Sequence, residues 1–385
     1  MSIPFIWSTR STLILLTLGS LWLMANVSAD VCEHFGAQCP SSSACCKQGY
    51  CSADPNFCTS GCNPNASYSP QSCFPDPKCV DLHIPEGGWK ADSIVPKQNF
   101  TGDPATGNWT SDFQPNHASV NAAGDLILTL SMDGGSPKNE FGKPQGFGAT
   151  ISSIRSLDYG TVTAKVLSAS TSPGVVSSLI VRNVYGDEID FEWVGKDKKE
   201  VQSNFYWNNE LDYTKSVHHP MPGDTTVNYY TYGIRWTPDE IQWLIEGAVV
   251  RTVYRNSTTF IASNSTYKYP SRPALVQLGI WDGGQGLQGT AEWAGTPTNW
   301  TDPAQKYEMT VKNLDISCFY KGNTTSDSWP PEGYGPPGYD KSKGGSVNGT
   351  TNAGGQGGST GSTISSIQIM STVLLGLAVL SVIFA

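Results

Sequence analysis

Residues 185–193 read Tyr185-Gly186-Asp187-Glu188-Ile189-Asp190-Phe191-Glu192-Trp193, and acidic and apolar side chains alternate from Glu188 onward. On a β-strand, successive side chains point to opposite faces of the sheet. The three acids therefore share one face, and the three apolar side chains between them share the other. The pattern predicts a strand that has one face in a hydrophobic core and a row of carboxylates on the opposite face.

Short runs of similar character recur through the middle of the chain. They are rich in β-branched and aromatic residues, are bounded by Gly, Asn and Asp, and occupy 125–132, 160–167, 175–181, 187–194, 229–236 and 306–319. Residues 241–245 and 248–254 flank Glu246-Gly247, which is typical of a tight hairpin. No convincing run of helical period is found there. We therefore predict an all-β protein whose residues 80–320 form a two-sheet antiparallel β-sandwich, a jelly roll.

A row of three acids needs an explanation, because like charges on one face of a strand repel each other. One alternative is a solvated acidic face, although such faces normally mix acids with Thr, Ser and Lys. Another is a calcium site, which usually takes its ligands from a folded loop. Glycoside cleavage requires such a group of acids, because one carboxylate attacks the anomeric carbon while a protonated partner gives its proton to the leaving oxygen.

The Asp-Glu-Ile-Asp-Phe-Glu sequence at 187–192 resembles the E-x-D-x-E signature of glycoside hydrolase family 16, specifically the fungal Crh-type chitin-glucan transglycosylases. Residues 172–178 resemble the strand before this motif, and 279–281 with 289–295 resemble a later substrate-binding strand. The resemblance covers roughly residues 81–317. It implies a retaining enzyme that cleaves chitin and transfers the fragment to β-glucan or chitin acceptors in the fungal cell wall.

Residue roles follow from the same resemblance. It implies that Glu188 is the nucleophile, that Asp190 assists it, and that Glu192 is the general acid and then the base. Glu192 is also expected to bind substrate, as are Gln277, Trp281 and Thr290. Further aromatic candidates for stacking on sugar rings, each more often a core residue, are Tyr206, Trp207, Trp236 and Trp293.

Two other functions stay open at this point. A plain β-glucanase or chitinase would use the same acids but pass the sugar to water. A noncatalytic cell-wall lectin would only adhere, and the intact row of three acids argues against it. No cofactor is expected, because no phosphate-binding loop or set of spaced metal ligands is found.

Nine of the ten cysteines fall between Cys32 and Cys79, and this density indicates an oxidising compartment. Residues 30–79 resemble a hevein-like chitin-binding module, which implies that Tyr50 and Phe57 form part of an aromatic platform. The alternative is a structural cap whose aromatics only shield disulfides. Zinc is not favoured in an oxidising compartment. The pairing stays open: Cys73 and Cys79 could form their own loop, and Cys318 could pair back to the module.

The two ends of the chain predict its destination. Residues 1–29 have the pattern of a signal peptide, and an N-terminal anchor is the alternative. Residues 321–361 form a Pro/Gly/Ser-rich linker, and 362–385 are an apolar tail typical of glycosylphosphatidylinositol attachment, with Asn352 as the attachment residue. A tail-anchoring helix is the alternative there. We expect a secreted protein held on the outer leaflet of the plasma membrane or in the cell wall.

The net charge of -9 argues against a nucleic-acid binder, which would carry a basic patch. Neutral polysaccharides fit this charge better, and we expect a monomer. Eight sequons predict N-glycosylation in the mature chain. They are Asn65, Asn99, Asn108, Asn256, Asn264, Asn299, Asn323 and Asn348.

Overall fold

A computed structural model describes most of the chain between residues 31 and 340. The described residues are 31–32, 37–47, 49–59, 61–100, 102–132, 138–139, 141–322 and 332–340. The predicted signal peptide, the apolar tail and the predicted sites at Asn323, Asn348 and Asn352 lie outside them. Within these ranges, no helix is both long enough and apolar enough to cross a lipid bilayer.

The described residues form twenty β-strands and one α-helix. The first ten strands are β1 (Cys45–Lys47), β2 (Tyr50–Ser52), β3 (Leu82–Ile84), β4 (Ile94–Pro96), β5 (Trp109–Phe113), β6 (Ala118–Val120), β7 (Leu126–Ser131), β8 (Ala149–Ser153), β9 (Gly160–Leu167) and β10 (Val175–Arg182). The other elements are β11 (Glu188–Val194), β12 (Glu200–Tyr206), β13 (Val217–Pro220), β14 (Tyr230–Trp236), β15 (Glu240–Ile245), β16 (Ala248–Tyr254), β17 (Phe260–Ile261), β18 (Thr266–Tyr267), β19 (Leu275–Asp282), α1 (Gln288–Ala294) and β20 (Lys306–Cys318).

Most of the strands build two eight-stranded sheets. The first has the order β13-β12-β11-β10-β19-β8-β5-β4, and the second has the order β16-β15-β14-β9-β20-β7-β6, with β3 also paired to β20. Within them only β4 and β5 pair in parallel. Side chains of both sheets meet in one large core. The predicted all-β jelly roll with two antiparallel sheets is therefore confirmed.

The apolar face of β11 lies in this core, as its alternation predicts. Ile189, Phe191 and Trp193 are at most 1 % exposed. The ring of Trp193 packs edge-on against Tyr232 of the second sheet, with centroids 4.6 Å apart. The interface between the sheets therefore fixes which face of β11 carries the acids.

One predicted strand is wrong. Residues 289–295 were expected to form a binding strand, but most of them belong to α1, in a stretch where no helix was predicted. The helix buries only Ala291 and Ala294, which are one turn apart, and the Gln288 side chain donates to Glu292 one turn later at 2.7 Å. Two small apolar residues bury too little surface to give a helical signal in the sequence.

All ten cysteines form disulfides. The pairs are Cys32–Cys46, Cys39–Cys51, Cys45–Cys58, Cys62–Cys73 and Cys79–Cys318. The alternative of a separate Cys73–Cys79 loop is therefore wrong. Cys318 pairs back to Cys79, where the Cys-rich segment ends. In the rest of that segment, clustered cystines take the place of an apolar core.

Candidate active site

The hairpin of β10 and β11 places the three acids. Arg182 on β10 lies opposite Glu188, and the turn between the two strands is closed by a 3.1 Å hydrogen bond from the Asn183 N–H to the Asp187 carbonyl. The carboxylate of Asp187 accepts a 2.8 Å hydrogen bond from Arg272 Nε, which fixes the start of β11. We call the side of the first sheet that points away from the core the acid face.

Strand β12 lines the acid row on one side. Tyr206, Asn204 and Gln202 lie opposite Glu188, Asp190 and Glu192 in register. On the other side, beyond β10, strand β19 brings Gln277 and Trp281 to the same face. The fold therefore gathers the acid row and two of the predicted substrate-binding residues on one surface.

Two of the three acids are shielded from solvent and Glu192 is partly exposed, which argues against a fully solvated acidic face. Glu188 is 9 % exposed and Asp190 only 1 %. Burial raises the pKa of Glu188, but its ion pair with Arg182 Nε at 3.2 Å opposes this rise. Burial, followed by the charge of Glu188, raises the pKa of Asp190 well above its usual range.

The third acid, Glu192, also has a raised pKa. Burial raises the pKa of Glu192 well above its ordinary range, and the charges of Asp190 and Glu188 raise it further. No cation among the interactions that shift its pKa opposes this. Three carboxylates in such surroundings cannot all carry a charge, so protons must be retained within the row. The arrangement favours an ionised Glu188 and a protonated Glu192.

Asp190 sits deepest in the row. Both oxygens of its carboxyl group are buried and form no hydrogen bond of normal geometry to any described residue. Its main-chain carbonyl, in contrast, accepts a 2.9 Å hydrogen bond from the indole N–H of Trp243, on strand β15 of the opposite sheet. The backbone of the middle acid is thus fixed while its side chain remains available to its two neighbours.

Tyr206 faces the whole acid row. Burial raises its pKa, and the charges of Asp190, Glu192 and Glu188 raise it further, so its hydroxyl keeps its proton. Its ring contacts that of Tyr213, with centroids 6.2 Å apart, and Tyr213 is 59 % exposed. Two tyrosines therefore border the acid row at its Glu188 end.

Two tryptophans border the other end. Trp281 and Trp293 are stacked with ring centroids 5.9 Å apart and an interplanar angle of 23°. The indole N–H of Trp293 donates a 2.7 Å hydrogen bond to the side-chain oxygen of Gln202, which lies opposite Glu192. The pair is only partly buried, so it can present an apolar ring surface to a sugar.

The remaining predicted site residues have different surroundings. Gln277 donates a 2.8 Å hydrogen bond to Ser152 Oγ on β8. Thr290 lies in α1 rather than on a strand beside Trp281. Trp236 is 1 % exposed and donates to the Pro270 carbonyl, so it is a core residue and not a platform. Trp207 is partly buried and lies just beyond the end of β12.

The predicted module and glycosylation residues are placed as follows. Tyr50 is 44 % exposed, whereas Phe57 is half-buried against the cystines of the Cys-rich segment. Six sequon asparagines lie on the surface of the described residues. They are Asn65, Asn99, Asn108, Asn256, Asn264 and Asn299.

A cavity of about 560 Å³ lies apart from the acid row, lined by residues that include His117, Ser131 and Lys306. None of its lining residues has a carboxyl group, so it cannot supply the pair of acids that glycoside cleavage needs. Among the described residues, the sulfurs of Cys32, Cys39 and Cys51 lie close enough together to hold a metal ion, but all three are engaged in disulfides.

Sequence reasoning missed Arg182, Gln202 and Trp243. Arg182 could have been found from the sequence. It and Glu188 flank a turn of five residues, and a predicted hairpin over this turn would have paired them. Gln202 lies on the strand after the acids and needs the correct register to be found. Trp243 reaches Asp190 across the sheet interface, 53 residues later in the chain, and no local pattern indicates that contact.

Comparison with known proteins agrees with this geometry. The model of "Glycosyl hydrolases family 16" matches residues 106–307, just over half of the chain. "Crh-like protein 3" of Botryotinia fuckeliana is 32% identical over 310 residues, and "Congo red hypersensitive protein 2" of Saccharomyces cerevisiae is 32% identical over 291 residues. The alignments cover 79% and 73% of this chain but only 65% and 58% of those relatives.

Among solved structures, "Apo Crh5 transglycosylase" superimposes with a TM-score of 0.49 at 24% identity, covering 65% of this chain and 90% of that one. The sandwich, the acid row on its outer face and the matching family model lead to the same result. The chain belongs to glycosyl hydrolase family 16.

Proposed function

We propose that this protein is a retaining transglycosylase that cleaves chitin and joins the fragment to β-glucan or chitin, cross-linking the fungal cell wall. The observation that carries the proposal is the row of three carboxylates, in which Glu188 and Asp190 are buried and Glu188 forms an ion pair with Arg182 Nε at 3.2 Å. Membership of family 16 and the Crh-like relatives support the same activity.

The roles of the three acids follow from their surroundings. Arg182 keeps Glu188 ionised, so Glu188 attacks the anomeric carbon. The raised pKa of Glu192 keeps its proton in place, so Glu192 gives that proton to the leaving oxygen as the glycosidic bond breaks. Asp190 lies between them, and burial together with the charge of Glu188 raises its pKa, so it shares a proton with its two neighbours.

The second step returns the enzyme to its starting state. Glu192, now ionised, takes the proton of an acceptor hydroxyl, and that oxygen attacks the anomeric carbon and displaces Glu188. A sugar acceptor gives transfer, and water gives hydrolysis. The stacked pair Trp281 and Trp293 at one end of the row, with Tyr206 and Tyr213 at the other, supplies ring surfaces that hold a sugar where water would otherwise enter.

The proposal extends to the organisation of the whole chain. Residues 1–29 act as a signal peptide, 30–79 as a chitin-binding module, 80–320 as the catalytic domain and 321–361 as a linker. Residues 362–385 direct a lipid anchor, attached at Asn352, to the outer face of the plasma membrane. The disulfides, which need an oxidising compartment, and the exposed sequon asparagines support export.

A transfer assay tests the activity. Chitin oligomers are incubated with a fluorescently labelled β-glucan oligomer, and labelled hybrids are expected. Free sugars without hybrids would show a hydrolase instead.

In the same assay Glu188→Gln should lose at least about a thousandfold in turnover, because it removes the nucleophile. The matched control is Glu86→Gln, an exposed acid paired with Lys165, which should keep full activity. Equal turnover of Glu188→Gln and wild type would leave only a carbohydrate-binding role.

A further inference from the structure

The edge strand of the second sheet, β16, carries a cation that points into the sandwich. Arg251 is the one charged residue among residues 248–254, which are otherwise mostly β-branched. The register of β15 and β16 pairs Arg251 with the buried Trp243 and leaves Val250 as the extra residue of a β-bulge. Bulges re-aim the side chains beside them, and paired residues lie on the same side of a sheet. Arg251 therefore faces the first sheet.

The guanidinium of Arg251 reaches two segments of that sheet. Its Nη1 donates to the Ser203 carbonyl at 2.7 Å and to the Ser203 hydroxyl at 2.9 Å, and its Nη2 donates to the Lys215 carbonyl at 2.7 Å. Ser203 is the middle residue of β12, and Lys215 ends the short 3-10 turn Tyr213–Lys215. One planar group thus joins the edge of the second sheet to the strand that lines the acid row and to the turn that follows it.

A histidine completes the hydrogen bonds of this group. Arginine can only donate, so the Ser203 hydroxyl accepts from Arg251 and donates its own proton to Nε2 of His219, 2.8 Å away on β13. Burial, followed by the charge of Arg251, lowers the pKa of His219 to about 4, so its imidazole is neutral and can accept this bond. The guanidinium therefore has a fixed orientation behind β12.

The same guanidinium stacks on Trp243. Its central carbon lies 4.3 Å from the centre of the Trp243 ring, which is within the range of a cation–π contact. Trp243 in turn donates to the main-chain carbonyl of Asp190 at 2.9 Å. Arg251 therefore contacts both the residue that holds the acid strand and the neighbouring strand β12.

The turn that is held in this way carries an exposed ring. The ammonium group of Lys215 lies 4.8 Å from the centre of the Phe205 ring, so this residue is fixed through its side chain as well as its carbonyl. Tyr213, at the start of the turn, is exposed, and its ring centroid lies 6.2 Å from that of Tyr206. A shift of the turn would therefore move a ring that borders the acid row.

We propose that Arg251 is a positioning residue of the sugar-binding surface: from behind β12 it fixes the turn Tyr213–Lys215 and thereby holds the Tyr206–Tyr213 ring pair beside the acids. This role rests on the proposed function only for what the rings bind, a β-linked chain of neutral sugars. Arg251 itself does not touch substrate, because its partner Ser203 lies opposite the core residue Phe191. Without Arg251, sugar binding would have to order the ring of Tyr213, at a cost in affinity.

Hydrogen exchange tests the positioning without any sugar. The Ser216 N–H donates to the Tyr213 carbonyl at 3.2 Å within the turn. In Arg251→Met we expect exchange of this amide to be about tenfold faster, while amides between β7 and β20 exchange as in the wild type. The matched control is Arg235→Met, which replaces an exposed arginine of β14 and should change neither. Unchanged exchange in the turn, or an equal rise throughout the sandwich, overturns the proposal.

Calorimetry tests the consequence for sugar binding. Chitin and β-glucan hexamers are titrated into Glu188→Gln, so that no turnover is needed. In that background Arg251→Met and Tyr213→Ala should each raise Kd for a hexamer about tenfold, and the double variant should raise it no further, because both changes remove the same ring contact. Tyr213 is exposed, so its replacement does not endanger folding.

The double variant gives the decisive comparison. A rise in Kd of about a hundredfold would mean that Arg251 and Tyr213 act independently, which overturns the proposal. An unchanged Kd in either single variant, or no binding of either hexamer, also overturns it. If the coupled losses are found but the wild type transfers no sugar, the proposed function fails and the positioning role of Arg251 stands.

Discussion

The indole N–H of Trp243 donates a 2.9 Å hydrogen bond to the main-chain carbonyl of Asp190, from one sheet of the sandwich to the other. Trp243 is fully buried and lies on the strand next to β14, in the core. The position of the middle acid therefore depends on a core residue that cannot touch substrate. Core packing and the geometry of the acid row are coupled through this one bond.

Replacing Trp243 by Phe should lower activity as well as stability. The substitution leaves the buried Asp190 carbonyl without this donor, which costs about 1–3 kcal/mol of unfolding free energy, and we expect kcat to fall about tenfold as the acid row loses its alignment. Trp236→Phe is the control, since Trp236 is equally buried and donates at 3.0 Å to the Pro270 carbonyl, away from the acids. Chemical denaturation and turnover are measured for both. Equal turnover of the two variants would contradict the coupling.

Replacing Arg182 by Met should shift the pH dependence of the reaction. Arg182 opposes the rise in the pKa of Glu188, so its removal raises that pKa and leaves less Glu188 ionised at a given pH. The acidic limb of the pH profile of kcat/KM should therefore move to higher pH. A shift of about one pH unit lowers kcat/KM about tenfold at pH values on that limb. Arg182→Lys, which keeps the charge, should recover part of the shift. An unchanged profile in Arg182→Met would show that another group sets the limb.

Asp190→Asn should stabilise the protein while it slows catalysis. The pKa of Asp190 is raised in the folded state, so the folded protein binds the Asp190 proton more tightly than the unfolded chain does. The free energy of unfolding therefore falls as pH rises from the ordinary pKa of 3.8 to the raised folded-state pKa. Asn removes this penalty, so the variant should melt a few degrees higher at neutral pH, each 1 kcal/mol being worth about 2–4 °C at this size. The gain should vanish below the ordinary pKa of 3.8.

Activity of Asp190→Asn should fall about a hundredfold, because Glu188 and Glu192 lose the group that shares their proton. Melting curves at several pH values and turnover at one pH are sufficient. A gain in melting temperature that persists at acidic pH would mean that the stabilisation comes from packing and not from the charge.

Trp281→Ala should weaken sugar binding more than chemistry. Loss of the stacked ring removes about 1.4 kcal/mol of binding, and KM should then rise about tenfold with a smaller change in kcat. Trp207→Ala is a fair comparison, because Trp207 is also partly buried but lies beyond the end of β12. Steady-state kinetics separates the two parameters. A larger rise in KM for Trp207→Ala than for Trp281→Ala would indicate that the sugar stacks at the Tyr206 end of the acid row.

Local periodicity was enough to predict the sandwich and the acid face. Alternation in 187–194 assigned Ile189, Phe191 and Trp193 to the core, because burial on one face of a strand leaves a period of two in the sequence. The residues around the acids were harder to predict from the sequence. Gln202 reaches the acids through strand register and Trp243 through packing between sheets, and neither contact is encoded by neighbouring residues. Arg182 alone had a local signal, the short turn that pairs it with Glu188.

Helix α1 and the disulfide pairing were also not predictable from local sequence patterns. Residues 288–294 bury two alanines, so their helical period is too weak to read, and resemblance alone placed 289–295 on a strand. The pairing of Cys79 with Cys318 joins residues 239 apart in sequence. Many pairings of ten cysteines satisfy any spacing rule, and only the folded sheets bring these two together.

That same disulfide has a mechanical consequence. Cys79 and Cys318 lie at the two ends of the sandwich sequence, next to β3 and at the end of β20, and these two strands are paired. A tensile load applied between the Cys-rich segment and the chain beyond residue 318 passes through the sulfur bridge and bypasses the sheets between them. The strand that carries Glu188, Asp190 and Glu192 therefore stays relaxed while the flanking segments are stretched.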